Sequence, residues 1–277
     1  MNRICPAISL LLLACSWIAQ AVAGPDQDRA SMIALFKGKF PGMALDEYVN
    51  GALMLSPDAK AQFDSIMEFP PFQGEIDKGR MLWERPFANG RTFAGCFPNG
   101  GRNVAGNFPY FDTASDKVVT FEMAINRCLR ENGERELEYG DKETMGVVTA
   151  YARTLSDGMR VNVVLDGPAA QRRYQAGRQF YFRRIGQLNL ACASCHVTYA
   201  GNYFRDEIIS PAIGQTTHFP VFRAGDNLHT LHMRYQRCME AMRAVPLPAG
   251  SQEFNDLEYF HSFLSNGLPM RSSVYRK

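Results

Sequence analysis

The chain has 277 residues, of which 46% are hydrophobic and 21% are charged, and its formal net charge at pH 7 is +2. This balance excludes the strongly basic surface that nucleic-acid binding needs, and it gives no sign of attachment to an anionic membrane surface. The length is sufficient for two small domains and a sizeable core.

The first 23 residues have the pattern of a secretory signal peptide. A basic start at Arg3 is followed by an apolar run over residues 4–18 and by the small-residue exit Ala21-Val22-Ala23. Because the run is too short to span a membrane, residues 1–23 are predicted to be a cleaved signal and no membrane span is expected. The minor alternative is a lipoprotein cleavage site at "LLAC", residues 12–15.

Residues 24–76 have no counterpart in the second half of the chain. They include the four prolines Pro41, Pro57, Pro70 and Pro71. We expect this segment to be an N-terminal extension that packs on the remainder of the protein.

Residues 77–160 and 168–277 repeat one pattern. Five landmarks recur in the same order, with offsets of 96 to 111 residues: Gly79 and Gly177, Cys96 and Cys192, Phe108 and Phe219, Cys128 and Cys238, Gly158 and Gly267. Such an order predicts two tandem copies of one unit, produced by internal duplication.

The apolar spacing within both copies is typical of α-helices. One helix of the first copy has its buried face at Val147, Val148, Tyr151 and Leu155, and its counterpart has Phe254, Leu257, Phe260 and Leu264. A further helix is predicted from a cap at Asp226 to about Arg243, with a buried face at Leu228, Leu231, Tyr235, Cys238 and Met242. The predicted fold class is mainly α.

The segment "CASCH" in the second copy has the attachment signature of a c-type haem. Cys192 and Cys195 can each bond one vinyl group, while His196 reaches the iron as the proximal ligand. A bare Cys-x-x-Cys is also compatible with a redox pair or half of a zinc site, but no second ligand pair follows. The sequence therefore predicts one covalently bound haem c, and export of such a protein predicts the bacterial periplasm.

The first copy has Asn99 and Gly100 where the second has Cys195 and His196. Without these groups it cannot hold a covalent haem, so the fold is predicted as two tandem cytochrome c-like domains of which the first lacks haem. In an oxidising compartment Cys96 and Cys128 are then expected to form a disulfide. The alternative is two buried free thiols.

The sixth iron ligand has several candidates after residue 196. They are Cys238, the histidines 218, 229, 232 and 261, and the methionines 233, 239, 242 and 270. Cys238 can be a small apolar residue on a helix face, but it is also the one thiol left over, and an odd thiol in a secreted protein needs an explanation. Arg234 lies four residues earlier on the same helix side, where its charge favours a thiolate and attracts an anion.

The duplicated unit, "CASCH" and the segment "RYQRC" together resemble the SoxA subunits of the SoxAX cytochromes of bacterial thiosulfate oxidation. The similarity covers essentially the whole mature chain. The departure at Asn99 and Gly100 resembles the single-haem branch of that family.

The resemblance implies an L-cysteine S-thiosulfotransferase. Cys238 would be the axial ligand opposite His196, present as a persulfide, and the reactive centre, with Arg234 beside it to bind the substrate. The implied partners are a SoxX-like monohaem cytochrome, with which the chain forms a heterodimer, and a SoxYZ-like sulfur carrier whose cysteine receives thiosulfate oxidatively as an S-thiosulfonate. The alternatives are a periplasmic electron carrier with a Met or His sixth ligand, and a haem-bearing scaffold that docks a catalytic partner.

Overall fold

The computed structural model describes residues 24–276, and the predicted signal peptide lies outside them. Its regular structure is predominantly helical, as the apolar spacing predicts. The α-helices are α1 (Pro25–Lys39), α2 (Pro57–Glu68), α3 (Gln73–Glu84), α4 (Phe121–Glu131), α5 (Val147–Thr154), α6 (Gly167–Phe182), α7 (Leu231–Ala241) and α8 (Gln252–Leu264). Shorter 3-10 or π-helical segments span Leu45–Leu55, Phe93–Cys96, Pro98–Gly101, Ala105–Asn107, Lys142–Gly146, Ser194–Thr198 and Gln215–His218.

The strands have two or three residues each. They are β1 (Tyr110–Asp112), β2 (Lys117–Val119), β3 (Tyr203–Phe204), β4 (Glu207–Ile208), β5 (Val221–Arg223), β6 (Asn227–His229) and β7 (Val274–Tyr275). β1–β2, β3–β4 and β5–β6 are antiparallel hairpins, and β7 pairs with β5 in parallel. Of these strands, β2 and β6 lead directly into α4 and α7.

Elements follow one order in both halves of the chain. A helix, a hairpin and two further helices occur as α3, β1–β2, α4, α5 and again as α6, β5–β6, α7, α8. The second half carries the additional β3–β4 hairpin between α6 and β5.

In each half the first and last helices approach closely at a glycine. A Cβ atom at Gly79 of α3 would lie 2.0 Å from the Val147 carbonyl oxygen at the start of α5, and one at Gly177 of α6 would lie 1.9 Å from the Asp256 carbonyl oxygen of α8. Since real Cβ atoms do not come so close to backbone, only glycine permits either crossing.

Helices α4 and α7 begin with the same local signal. The hydroxyl of Thr120 accepts a hydrogen bond from the Met123 amide, and that of Thr230 accepts one from the Met233 amide, each at 3.3 Å. These threonines satisfy amide groups that the first turn leaves without a partner.

The predicted Asp226 cap is therefore wrong. Asp226 lies in the turn between β5 and β6, and Leu228 belongs to β6, where it pairs with Phe222. The hairpin hydrogen bonds hold this stretch extended, so the helix begins at Leu231 and it ends at Ala241 rather than Arg243.

The segment before α3 packs largely on the second half. Asp28 of α1 accepts hydrogen bonds from Arg178 Nε at 2.9 Å and from the Tyr174 hydroxyl at 3.1 Å, both on α6. Phe36 and Tyr48 are fully buried in the core. This segment therefore contributes to the core instead of trailing from it.

The two halves share packed surfaces. Phe72, at the start of α3, stacks on Phe222 of β5 with ring centroids 4.1 Å apart. No helix within residues 24–276 combines the length and the apolar character that crossing a membrane requires.

The structure contains the predicted disulfide between Cys96 and Cys128. Cys128 is on α4, and Cys96 ends the short helix that follows α3. Asn132 at the end of α4 donates to the Cys128 carbonyl at 2.8 Å and its amide lies 3.4 Å from Cys96 Sγ. The first half thus uses these two thiols to join its helices covalently.

Replacing both disulfide cysteines, as Cys96→Ala with Cys128→Ala, is expected to lower the free energy of unfolding. The two residues are separated by 32 positions in the sequence, and a closed loop of that size corresponds to about 3–4 kcal/mol of stabilisation. Urea unfolding of wild type and double variant measures the difference. Alkylation of Cys96 in the unreduced wild-type protein, detected by mass spectrometry, would contradict the bond.

Gly177→Ala is expected to force α6 away from α8 and to destabilise the protein by about 1–3 kcal/mol, the usual cost of overpacking. Gly38→Ala is the matched control, because a Cβ at Gly38 of α1 meets no atom within 4 Å. That change should be neutral or stabilising, since alanine favours helix over glycine. Thermal unfolding compares the two, and equal melting temperatures would show that the α6–α8 contact is not tight.

Candidate functional site

The "CASCH" residues form a helical turn beside α7. Ser194–Thr198 is a π-helical segment, preceded by a hydrogen bond from the Ala191 amide to Ser194 Oγ at 3.0 Å. Cys192 and Cys195 are free thiols, both partly buried. The turn therefore presents two thiols and the following imidazole within one short segment.

The orientation of His196 is fixed through its Nδ1 atom. Nδ1 lies 2.9 Å from the Ser210 carbonyl oxygen, so this ring nitrogen is engaged by the protein. The Gln215 side-chain amide lies 2.6 Å from the same atom. Nε2 makes no hydrogen bond within the described chain and is left available as a ligand atom, in the arrangement usual for metal-binding histidines.

Burial lowers the pKa of His196 to about 4, and the Arg234 guanidinium adds to this effect. The backbone hydrogen bond to Ser210 acts in the opposite direction but does not compensate. The imidazole is consequently neutral at physiological pH, which is the form that binds a metal.

The thiols of Cys192, Cys195 and Cys238 lie near one another. Burial raises the pKa of Cys192 to about 12, with a further contribution from Cys238. The pKa of Cys195 is raised for the same two reasons. Helix α7 thus brings the sulfur atom of Cys238 to the thiols of the "CASCH" turn, although more than forty positions separate them in the sequence.

Tyr181 of α6 completes this group and was not predicted as a site residue. Its side chain is 1% exposed, and its hydroxyl has no hydrogen-bond partner among residues 24–276. Burial raises its pKa well above the ordinary value, and the thiols of Cys192, Cys238 and Cys195 raise it further. A buried hydroxyl without a partner is costly, so a group bound between these side chains fits the observation.

Together these residues fit a covalently attached haem. Two thiols have the required spacing, the neutral imidazole has its Nε2 free, and a third sulfur comes from α7. Within residues 24–276 no group of three or more His, Cys, Asp or Glu side chains is arranged to hold a metal ion directly.

Arg234 lies one helical turn before Cys238 on α7. Its guanidinium forms no ion pair or hydrogen bond with any residue of the described chain, and its side chain is partly exposed. By contrast, Arg237 on the same helix pairs with Glu240 at 2.6 Å. Arg234 is therefore an uncompensated positive charge available to a negatively charged ligand.

Two of the alternative histidine ligands are occupied by protein contacts. His232 accepts from the Gly250 amide at 2.9 Å and lies 3.0 Å from Glu258. His261 contacts the Tyr235 hydroxyl at 3.0 Å and the Ala212 carbonyl at 3.2 Å. His261 has both ring nitrogens engaged and His232 is 1% exposed, so each is a core histidine. His218 is also buried, and burial lowers its pKa.

The corresponding place in the first half is built differently. Asn99 and Gly100 adopt left-handed backbone angles, with φ of 50° and 67°. The Trp83 ring stacks on Phe93 and Phe97 with centroids 5.3 and 5.4 Å apart. Aromatic side chains and the disulfide thus lie in this part of the first half.

Comparisons with known proteins agree with the site. The family described as the SoxA/TsdA cytochrome c domain matches residues 78–161. The L-cysteine S-thiosulfotransferase subunit SoxA of Chlorobaculum tepidum is 42% identical over 253 residues, which are 91% of this chain and 88% of the relative. The subunit of the same name from Allochromatium vinosum is 38% identical over 92% of this chain and 91% of its own length.

A solved structure is also similar. A chain in the crystal structure of SoxXA from P. pantotrophus superposes with a TM-score of 0.68 at 30% identity, covering 75% of this chain and 79% of that chain. Haem c binding is thus a property of the family, and the thiols and imidazole described above fit it. The chain belongs to the SoxA family of c-type cytochromes, whose members are L-cysteine S-thiosulfotransferase subunits.

Proposed function

We propose that this protein joins thiosulfate oxidatively to a cysteine of a SoxYZ-like sulfur carrier and gives a cysteine S-thiosulfonate. The observation that carries the proposal is the unpaired guanidinium of Arg234 one turn from Cys238, whose sulfur lies with the thiols of the haem-binding turn. The names of the SoxA relatives support the reaction class. A protein that only carries electrons does not need an unpaired arginine beside a free thiol.

The proposed site holds one haem c. Cys192 and Cys195 would attach it covalently, and His196 together with Cys238, present as a persulfide, would be the iron ligands. When bound, the haem supplies an acceptor for electrons taken one at a time.

The chain's own residues carry the sulfur chemistry. Arg234 binds the anionic oxygens of thiosulfate through charge-assisted hydrogen bonds. The sulfur of Cys238 would form a sulfur–sulfur bond with the outer sulfur of thiosulfate, and the two electrons released would pass one at a time to the haem and the SoxX-like partner. Attack by the carrier thiolate on the thiosulfate sulfur would break that bond and transfer the group, with the Cys238 sulfur as the leaving group. In the overall change the carrier thiol loses its proton, one sulfur–sulfur bond forms on the carrier, and two electrons leave the site.

We further propose that residues 77–160 and 168–277 are two cytochrome c-like domains from one duplication, preceded by the extension 24–76, and that the first domain has no haem. The glycine crossings at Gly79 and Gly177 and the caps at Thr120 and Thr230 support the duplication. The match of the cytochrome c family to residues 78–161, the half without the attachment motif, supports it as well.

The proposed partners are a SoxX-like monohaem cytochrome, which forms a heterodimer with this chain, and the SoxYZ-like carrier. The similarity to a chain of SoxXA supports the first, and the names of the relatives support the second. The predicted signal peptide supports export to the periplasm, where the Cys96–Cys128 disulfide is stable.

Cys238→Ala is expected to abolish transfer of thiosulfate to the carrier while the haem stays attached through Cys192 and Cys195. The mass increase of the carrier measures the transfer, and haem staining of the denatured protein measures the attachment. Electron paramagnetic resonance should show loss of a thiolate-ligated low-spin signal. Undiminished transfer, or a wild-type signal typical of Met or His ligation, would falsify the assignment of Cys238.

Arg234→Ala is expected to raise KM for thiosulfate by about 10-fold to 100-fold, because a hydrogen bond to a charged group contributes about 1.5–3 kcal/mol. The KM of Arg234→Lys should fall between those of Arg234→Ala and wild type, since lysine keeps the charge without the planar guanidinium. Arg237→Ala is the matched control, an exposed arginine on the same helix that is paired with Glu240. Equal KM values for the Arg234 and Arg237 variants would remove Arg234 from the substrate site.

A further inference from the structure

A chain of hydrogen bonds connects α7 to the "CASCH" segment through α8. The Tyr235 hydroxyl of α7 lies 3.0 Å from His261 Nδ1, and His261 Nε2 lies 3.2 Å from the Ala212 carbonyl oxygen. The Ala212 amide in turn donates to the His196 carbonyl at 2.9 Å. Tyr235 is three residues before Cys238, so the chain joins the two segments that carry the proposed axial ligands.

The direction of these hydrogen bonds follows from the acceptors. A carbonyl oxygen can only accept, so Nε2 of His261 carries a proton and donates to Ala212. Burial lowers the pKa of His261 to about 3, so the ring is neutral and Nδ1 accepts from the Tyr235 hydroxyl. Each ring nitrogen of His261 therefore has one defined partner.

Ring packing holds the pair in place. The rings of Tyr235 and His261 are stacked with centroids 6.1 Å apart, and the ring of Tyr181 lies 5.4 Å from that of His261. Tyr235 is 8% exposed and His261 is 3% exposed. In this enclosed setting neither residue can exchange its partner for water, and a broken bond would leave a buried polar group unsatisfied.

The first half lacks this pair. Tyr235 is five residues after the cap Thr230, and the residue five after the cap Thr120 is Ile125. Equivalent residues of α5 and α8 are 109 positions apart, so His261 corresponds to Ala152. Both are fully buried and apolar. The half whose cysteines form a disulfide thus fills these positions with hydrocarbon, whereas the half with the attachment motif places two hydrogen-bonded polar groups there.

We propose that Tyr235 and His261 are positioning residues that set the separation between the Cys238 sulfur and the His196 imidazole. In the first half a disulfide fixes the position of the corresponding helix, α4, whereas no disulfide links α7 to the "CASCH" turn. The Tyr235–His261 bridge takes that role and keeps Cys238 in place as a ligand. This inference rests on the axial assignment in the proposed function.

The test compares Tyr235→Phe with wild type in the full-length haem-loaded protein. The variant keeps the ring and removes only the hydroxyl, so folding and haem attachment should be retained. Loss of one buried hydrogen bond should shift the equilibrium from bound to detached Cys238 by about fivefold. Electron paramagnetic resonance measures this as a decrease of the thiolate-ligated low-spin signal, accompanied by a changed reduction potential.

Tyr259→Phe is the matched control. Like Tyr235, Tyr259 is buried, and it lies on α8. Its hydroxyl donates to the Val164 carbonyl in the segment that connects the two halves. This variant loses a comparable hydrogen bond and should keep the wild-type signal and potential. If both variants lower the melting temperature by the same amount but only Tyr235→Phe changes the iron signal, the role of Tyr235 is positional and not merely structural.

A second pair of variants tests whether the two residues act together. His261→Leu should change the signal at least as much as Tyr235→Phe, and combining the two should add nothing to the larger single effect. An unchanged signal in both single variants, in a protein whose wild-type spectrum shows thiolate ligation, would overturn this inference and leave the proposed function intact. A wild-type spectrum without thiolate ligation would instead contradict the assignment of Cys238 itself.

Discussion

The close crossing of α6 and α8 at Gly177 is the constraint on which the rest of the site depends. Backbone meets backbone there, because a Cβ at Gly177 would lie 1.9 Å from the Asp256 carbonyl oxygen. One turn further along α6 is Tyr181, and just over one turn along α8 from that contact is His261, whose rings meet. The crossing therefore fixes the positions of Tyr181 and His261 relative to the segments that carry the thiols. His261 is buried there, and burial lowers its pKa and keeps the imidazole neutral.

The two halves show how one helical frame can be specialised in two ways. Thr120 and Thr230 start α4 and α7 in the same manner, and each helix carries a cysteine eight residues later. In the first half that cysteine forms a disulfide, which links two helical segments covalently. In the second half the thiol remains free, and an arginine without a partner lies one turn before it. The first half therefore gains a covalent link, and the second half keeps a free thiol near a positive charge.

Much of this could be predicted from sequence because it depends on short-range order. The spacing of a covalent attachment motif, the helical period of apolar residues and the offset between repeated landmarks are all local patterns. The disulfide between Cys96 and Cys128 was predictable because the first copy lacks the second haem thiol and the histidine, and an oxidising compartment favours bonding of its two remaining cysteines; the structure contains the bond. The error at Asp226 also came from a local pattern. Leu228 matches the helical period, but its cross-strand pairing with Phe222 holds it in β6.

The sequence by itself determined that this chain carries a haem-attachment motif, a repeated helical unit, and an arginine four residues before an unpaired cysteine. Only the tertiary structure decided which atoms surround them. The contact of Gln215 with His196 and the hydrogen bond from Tyr235 to His261 join residues 19 and 26 positions apart, and Tyr181 lies near Cys238, 57 positions away. No local pattern encodes such contacts, because they arise where separately formed helices pack and the buried polar groups must find partners at whatever distance along the chain.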